Sequence, residues 1–356
     1  MNECLPASVR IGDAFALASA RNASDVHMAA GLPPVLRVDG ELEKTSQPPL
    51  DRRELREVAR AIVGDEKLAR LETDGDVTGT WTDSNLGRVR VHVYLADGAP
   101  AIAMRVLHRR PPSLEALQMP AVVATFAREQ HGLVLVGGPT GSGKSTTMAA
   151  LIDRVNADSA RRILTIEDPI EYRHESRRSV LTQREVGRDT QRLSAALFGA
   201  LRADPDVIVV GEMRDTDAIA AALSAAQTGH LVMSTLHTGS AAQTVERITD
   251  AFPDSAKHHI RAQLANALVG IVCQHLVRRS SSAGRRAAVE ILIATDAVRA
   301  LIRDGKPHQL NNAIATGGRY GMQTLAQHLN ELLRTNEIER CEAERFGVLD
   351  ACPEVA

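Results

Sequence analysis

One stretch constrains this chain more than any other: Gly138-Pro139-Thr140-Gly141-Ser142-Gly143-Lys144-Ser145-Thr146. The aliphatic run Leu133-Val134-Leu135-Val136 precedes it, and the helix-like Met148-Ala149-Ala150-Leu151-Ile152 follows. Gly138 to Ser145 satisfies the spacing G-x-x-x-x-G-K-[ST], a strand, a glycine loop and a helix arranged to hold nucleotide phosphates. Glycines allow backbone torsions that a side chain forbids, so successive N–H groups can point inward at phosphate oxygens. In that arrangement Lys144 meets the β- and γ-phosphates and the Ser145 hydroxyl ligates a magnesium ion. The chain is therefore expected to bind a nucleoside triphosphate, with Mg2+, in an α/β domain.

The pattern around this loop supports that fold class. Strands are expected at 133–136, 163–166, 207–210 and 231–233, separated by helical segments. Such alternation indicates a mostly parallel sheet with helices on both faces, whose chemistry sits outside the carboxyl ends of the strands. The N-terminal part reads differently. A short amphipathic helix at 13–18 precedes strand-like Val26-His27-Met28 and a hairpin at Val35-Leu36-Arg37-Val38-Asp39-Gly40. A helix over 51–71 starts from Asp51 as N-cap, with Leu55, Val58, Ile62 and Val63 at helical spacing. Three β-rich runs follow, at 77–81, 88–94 and 101–106. Residues 1–107 thus read as a small α+β domain with an antiparallel sheet. The pair Pro111-Pro112 in His108-Arg109-Arg110-Pro111-Pro112 favours an extended linker, 108–115. Residues 116–356 form the nucleotide domain, with a helical tail from about 255 that includes basic amphipathic 297–303 and a helix near 322–333. Arg278-Arg279 and Arg285-Arg286 read as a solvated helix end or loop, and His258-His259 as a helix surface pair.

Three further stretches carry chemistry. Leu201 to Asp215 (LRADPDVIVVGEMRD) is an apolar run ending in Gly211-Glu212 where many P-loop enzymes place an aspartate. Glu212 is long enough to orient or polarise a water, and the glycine keeps room for it. In Ile163 to Tyr172 (ILTIEDPIEY) a strand feeds Glu167, Asp168 and Glu171, with Pro169 fixing the turn. Crowded carboxylates repel and so call for a cation or a function; magnesium, directly or through water at Asp168, is the natural partner. In Thr228 to Thr238 (TGHLVMSTLHT) a strand has His230 at one end and His237 past the other. No third ligand lies at zinc spacing. His237 is placed to sense a γ-phosphate by donating a hydrogen bond. Arginines can stabilise charge in phosphoryl transfer. Arg90 and Arg105 of the N-terminal sheet have no role fixed by spacing, and salt bridges or solvated strand faces suit them equally.

Composition narrows the partners. Aromatic residues are only 3% and the net charge is −2, so neither base stacking nor global attraction to nucleic acid is expected. Cys4, Cys273, Cys341 and Cys352 form no C-x-x-C pair, so a reducing cytoplasm is the default. No segment approaches the ~18 apolar residues of a membrane span, and the first ten residues lack the apolar core of a secretory signal. A membrane role would be peripheral.

With its motifs in this order, the chain resembles the secretion and type IV pilus motor ATPases, P-loop proteins with a RecA-like core. The matching stretches are GPTGSGKST (138–146), ILTIEDPIEY (163–172), LRADPDVIVVGEMRD (201–215) and TGHLVMSTLHT (228–238). ASDVHMAAGLPPVLRVDGEL (23–42) is similar to that family's PAS-like N-terminal domain. GEMRD, VERITDAFP (245–253) and AVRALIRDGKPHQL (297–310) resemble the branch that retracts pili in twitching motility. Val298, Ala300 and Asp304 depart from that branch's tail motif, and residues around 94–101 from its N-domain. The four-cysteine zinc insert of many assembly and type II secretion relatives is missing. The resemblance implies a cytoplasmic homohexamer docked on an inner-membrane platform protein, with a paralogous motor as a further partner. It implies that Lys144 and Ser145 hold phosphates and magnesium and that Glu212 supports the attacking water. Glu171, with Glu167 and Asp168, completes the metal and water environment. His230 and His237 couple nucleotide state to the sheet, and Arg90 and Arg105 approach nucleotide at a domain interface. The alternatives are a pilus assembly or type II secretion motor, an accessory retraction paralogue, a nucleotide-gated regulatory protein and a nucleic-acid motor.

Overall fold

The computed structural model describes residues 7–347, except 22, 39, 84–86, 108–110, 214 and 282–283. His108, Arg109 and Arg110 of the expected linker lie outside the described residues, as do Cys4, Cys352, Asp39 of the expected hairpin and Arg214 of the GEMRD stretch. The chain divides into two compact units, Met1–Arg109 and Arg110–Ala356.

The first unit contains α1 (Ala7–Ala20), β1 (Asp25–Met28), β2 (Val35–Val38), β3 (Glu41–Lys44), α2 (Arg52–Asp74), β4 (Asp76–Asp83), β5 (Gly87–Ala96) and β6 (Ala99–Leu107). Its strands form one antiparallel sheet in the order β3-β2-β1-β6-β5-β4. Side chains alternate across a strand, so Val89, Val91 and Val93 of β5 enter a core with Phe15 and Leu55. Arg90 and His92 fall on the other face. Asp51 caps α2 as expected: its carboxylate accepts from Glu54 N at 2.7 Å, and Glu54 Oε2 accepts from Asp51 N at 2.8 Å. That reciprocal pair satisfies two of the helix's orphan amides.

The second unit is an α/β domain. Its strands are β7 (Gly132–Gly137), β8 (Arg162–Glu167), β9 (Val180–Glu185), β10 (Val207–Glu212), β11 (Leu231–Leu236), β12 (Leu268–Arg278) and β13 (Arg285–Ile293). Its helices are α3 (Ala121–Thr125), α4 (Lys144–Asp158), α5 (Leu193–Ala200), α6 (Thr216–Gln227), α7 (Ala241–Asp250), α8 (Asp254–Ala267), α9 (Asp296–Arg303), α10 (Leu310–Thr316), α11 (Leu325–Arg334) and α12 (Arg340–Glu344). The seven-stranded sheet runs β13-β12-β7-β11-β10-β8-β9, parallel throughout except for the β12–β13 pair. β7 lies inside it, buried on both faces. Leu133 and Leu135 pack in one core with α5, α6 and α8, while Val134 and Val136 pack in the other with α3 and α4. Burial on both faces is why this strand reads as a continuous aliphatic run.

The sheet is larger than the sequence suggests. β9 was not expected, and the tail is not wholly helical: after α8, residues 268–293 form the β12–β13 hairpin. The run LVGIVCQHLVR is apolar without a period of two, which leaves helix and strand undistinguished by pattern alone. The arginines near this hairpin are not all solvated either. Arg286 is only 6% exposed and its Nε donates to Glu337 Oε2 at 2.8 Å. His258 and His259 are exposed on α8, and α9 buries Val298 and Ile302.

Candidate nucleotide site

The glycine loop leaves the carboxyl end of β7 and enters α4 at Lys144. Gly138 and Gly143 have φ of +149° and +87°, torsions that L side chains rarely adopt. A Cβ at Gly138 would stand 2.5 Å from the main-chain oxygen of Gln274 and would also strike Ser142 Oγ. The buried ammonium of Lys144 donates to the carbonyls of Gly138 at 2.8 Å and Pro139 at 2.9 Å. Burial pushes its pKa down, opposed by the negative charges of Glu212 and Glu171. Both carboxylates therefore lie within electrostatic reach of the lysine.

Lys144 Nζ is also 3.3 Å from His237 Nδ1, and His237 Nε2 is 3.2 Å from Glu212 Oε1. An ammonium can only donate, so Nδ1 accepts from Lys144 and the ring proton sits on Nε2, directed at Glu212. One imidazole thus joins the end of β11 to the end of β10 and to the loop. Glu212 reaches it through a bulge: Val210 pairs with Ser234 but Glu212 pairs with Thr235, leaving Gly211 as the extra residue. Thr235 Oγ1 fixes the bulge by donating to Gly211 O at 2.5 Å. The glycine makes room for the neighbouring backbone, since a Cβ there would lie 3.3 Å from both Glu167 Cα and Ile166 O.

The carboxylate stretch closes the third side. Glu167 Oε1 accepts from Thr165 Oγ1 at 2.6 Å and from Gln183 Nε2 at 3.0 Å; burial raises its pKa in spite of these bonds. Gln183 also donates to Tyr172 O at 2.8 Å and accepts from His174 N at 3.0 Å, so one amide sets the shape of the turn. Thr146 Oγ1 and Tyr172 Oη are 2.9 Å apart, tying the first turn of α4 to this stretch. Asp168 is exposed. Pro139, Thr140, His237, Thr238, Gly239 and His275 line a cavity of about 450 Å³ beside the loop.

A sequence profile described as "Type II/IV secretion system protein" matches residues 9–346. The chain belongs to that family. It is 42% identical over 330 residues to the type IV pilus retractation ATPase PilT of Pseudomonas aeruginosa (strain PAO1), covering 93% of this chain and 96% of that one. To a twitching motility protein of Neisseria gonorrhoeae it is 42% identical over 312 residues, 88% of this chain and 83% of that one. Among solved structures, the crystal structure of the pilus retraction motor PilT with bound ADP superposes with a TM-score of 0.85 at 38% identity. That match covers 96% of this chain and 97% of the other. The fold is that of the RecA-like secretion ATPases.

Within this family fold, the structure brings together Lys144, Glu171, Glu212 and His237, with Ser145, Thr146, Glu167 and Asp168 beside them. It does not bring His230 there. His230 precedes β11 at the end opposite His237, next to Gly132 at the start of β7. The six-residue strand between the two histidines spans roughly 20 Å. The ring of His230 instead contacts Ala225 O at 3.0 Å and Thr228 Oγ1 at 3.3 Å, near the carboxyl end of α6. Arg90 and Arg105 belong to the first unit, directly opposite each other on β5 and β6, and Arg105 Nε donates to Asp25 Oδ1 at 2.9 Å. Two residues with no sequence signal, Gln183 and Gln274, organise the loops.

The residues present fit a nucleotide: three positive-φ glycines, Gly138, Gly141 and Gly143, and a buried lysine at a helix start. Among the described residues, no group of three His, Cys, Asp or Glu side chains could hold a metal ion by itself. Magnesium does not need one, because it commonly takes one or two protein oxygens with phosphate oxygens and waters. Ser145 follows Lys144 at the start of α4, and Asp168 is exposed after β8; these are the two oxygens the sequence offers for that role. Among the described residues no helix is long and apolar enough to cross a membrane.

Proposed function

We propose that this chain is a homohexameric ATPase that converts hydrolysis of Mg-ATP into mechanical work for type IV pilus retraction. The observation that carries the reading is the Lys144–His237–Glu212 chain of contacts across three adjacent strand ends. It occurs in a fold matching the ADP-bound retraction motor over 96% of the chain. The loop from Gly138 to Thr146 (138–146) binds the phosphates with its amides, and Lys144 exchanges its own loop carbonyls for the β- and γ-phosphate oxygens. Ser145, and Asp168 through water, would hold magnesium, which would supply neutralisation of the phosphate charge. Glu212 orients the attacking water, with Glu171 and Glu167 shaping the surrounding field. His237 reports the outcome: it bonds both Lys144 and Glu212, so a change in either partner is passed to the end of β11. Arg90 and Arg105 add positive charge at nucleotide shared between subunits. The ring works in the cytoplasm against an inner-membrane platform protein, alongside a paralogous motor.

One variant tests both halves. Purified E212Q should bind ADP like the wild type while its kcat falls on the order of a hundredfold or more, the scale of a lost general base. A strain carrying it should keep surface pili and lose twitching. Undiminished hydrolysis sinks the catalytic assignment, and loss of surface pili assigns the motor to assembly.

A further inference from the structure

β12 runs beside β7 with Cys273 opposite Gly137, so the next residue, Gln274, faces the start of the glycine loop. Its side chain is 1% exposed. Its Nε2 donates to the main-chain oxygen of Ser142 at 2.6 Å. The same residue meets both glycines that bracket the turn. Its main-chain oxygen lies 2.5 Å from the place a Cβ at Gly138 would take, and its Nε2 lies 3.0 Å from the place a Cβ at Gly143 would take. Gln274 Oε1 and Ser142 Oγ are both buried without a hydrogen-bond partner. An acceptor and a hydroxyl thus stand buried beside the loop with their hydrogen-bonding capacity unused by protein groups.

We infer that Gln274 is a positioning residue for the phosphate loop. It holds the Ser142 carbonyl away from the cradle, so that the loop presents its amides to phosphate. Without that anchor the Ser142–Gly143 peptide is free to turn its carbonyl inward, where it would repel an anion. The effect acts on bound phosphate, before and after bond cleavage alike. It should therefore appear in binding rather than in the chemical step. The inference rests on the nucleotide reading above and deepens it.

Q274M keeps the length of the side chain and removes its hydrogen bond; Q274E keeps the shape and replaces the donor with an acceptor. Each is expected to raise the KM for ATP and the Kd for a fluorescent ADP analogue about tenfold, the scale of one buried hydrogen bond. Their kcat should stay within about threefold of wild type, while their nucleotide-free melting temperature falls by a few degrees, because each leaves the Ser142 carbonyl without its donor. Unchanged KM and Kd overturn the inference, as does a kcat loss larger than the KM rise. If Q274M does not fold, Q274N decides: it keeps the amide one methylene short and should fall between wild type and Q274E. Wild type measured alongside separates the two claims. If it neither binds nor hydrolyses ATP, the nucleotide reading fails; if it does and the variants match it, only the role of Gln274 fails.

Discussion

His174 sits in the turn that follows the carboxylate stretch, and burial pushes its pKa from 6.5 down to about 4. Asp153 pulls the other way and Arg177 adds to the depression. Its Nδ1 is buried with no hydrogen-bond partner, so the folded site has nothing to offer a second ring proton. The unfolded chain takes that proton below pH 6.5 and the folded one does not until about 4. Stability is therefore lost as pH falls across that window and no further below it. At pH 5 the single group costs about 2 kcal/mol relative to neutral pH. Denaturant unfolding of wild type and H174N at pH 7.5 and pH 5 checks this: wild type should lose about 2 kcal/mol more than the variant. Equal losses assign the acid sensitivity elsewhere. At this scale the sequence was uneven. Lys144, Glu212 and His237 were legible because each belongs to a stretch with fixed internal spacing. Gln183 and Gln274 were not, because a lone glutamine in a strand looks the same whether its amide meets solvent or three loop atoms. His230 was set correctly at the far end of its strand; the coupling role that the resemblance implies for it finds no contact with the loop, because only the other end of the strand carries the loop.

The β12–β13 hairpin, like β9, was concealed in the sequence, and it supports the site from two directions. Gln274 reaches the glycine loop from β12. On β13, Glu290 stands opposite Cys273 and its Oε1 accepts from Ala241 N at 2.7 Å, at the first turn of α7 just beyond His237 and Thr238. β13 is also the sheet edge, and it is covered: Val289 N donates to His328 Nδ1 at 2.9 Å and Val289 O accepts from Gln323 Nε2 at 3.1 Å. These bonds remove the free edge that would otherwise invite pairing with another chain. Helix propensity in α9 and α11 dominated the reading of the tail, whereas the strand identity of 268–293 comes from β7, a distant partner that no local pattern encodes. Glu290 yields a test at this scale. Burial raises its pKa, and the bond from Ala241 N only partly offsets that. The folded state therefore holds its proton to higher pH than the unfolded chain, so stability declines as pH rises through the window above 4.5. Glutamine keeps the acceptor for Ala241 N and carries no charge. E290Q should melt higher than wild type at pH 8, with the gap narrowing steadily towards pH 4.5. A gap that widens on acidification, or a lower melting temperature at pH 8, would mean that the carboxylate is stabilising in its charged form.

At the scale of the whole molecule, the first unit presents a sheet row in which Arg90, Arg105, Asp25 and Arg37 are successive cross-strand neighbours. Like charges directly opposite each other are unfavourable in a sheet, and a single carboxylate, Asp25, is set among three arginines. Arg105 takes it as an ion pair at 2.9 Å, and Arg37 donates instead to Gly40 O at 2.8 Å. Arg90 is exposed on β5. A row with more positive charge than it neutralises is suited to meeting an anion from outside the unit. In a ring of identical chains, that anion would be the terminal phosphate held by the glycine loop of a neighbour. On this argument R90A should lower kcat about a hundredfold or more, the range in which arginines act on phosphoryl transfer, and leave ADP affinity nearly unchanged. K144A should lose nucleotide binding outright. Neither variant alone would hydrolyse ATP well, yet mixed rings contain interfaces where an intact loop faces an intact Arg90. Hydrolysis by co-assembled R90A and K144A should therefore exceed the sum of the two measured separately, rising and falling with the mixing ratio. Strict additivity at every ratio would confine Arg90 to its own subunit and remove the case for a nucleotide shared between chains.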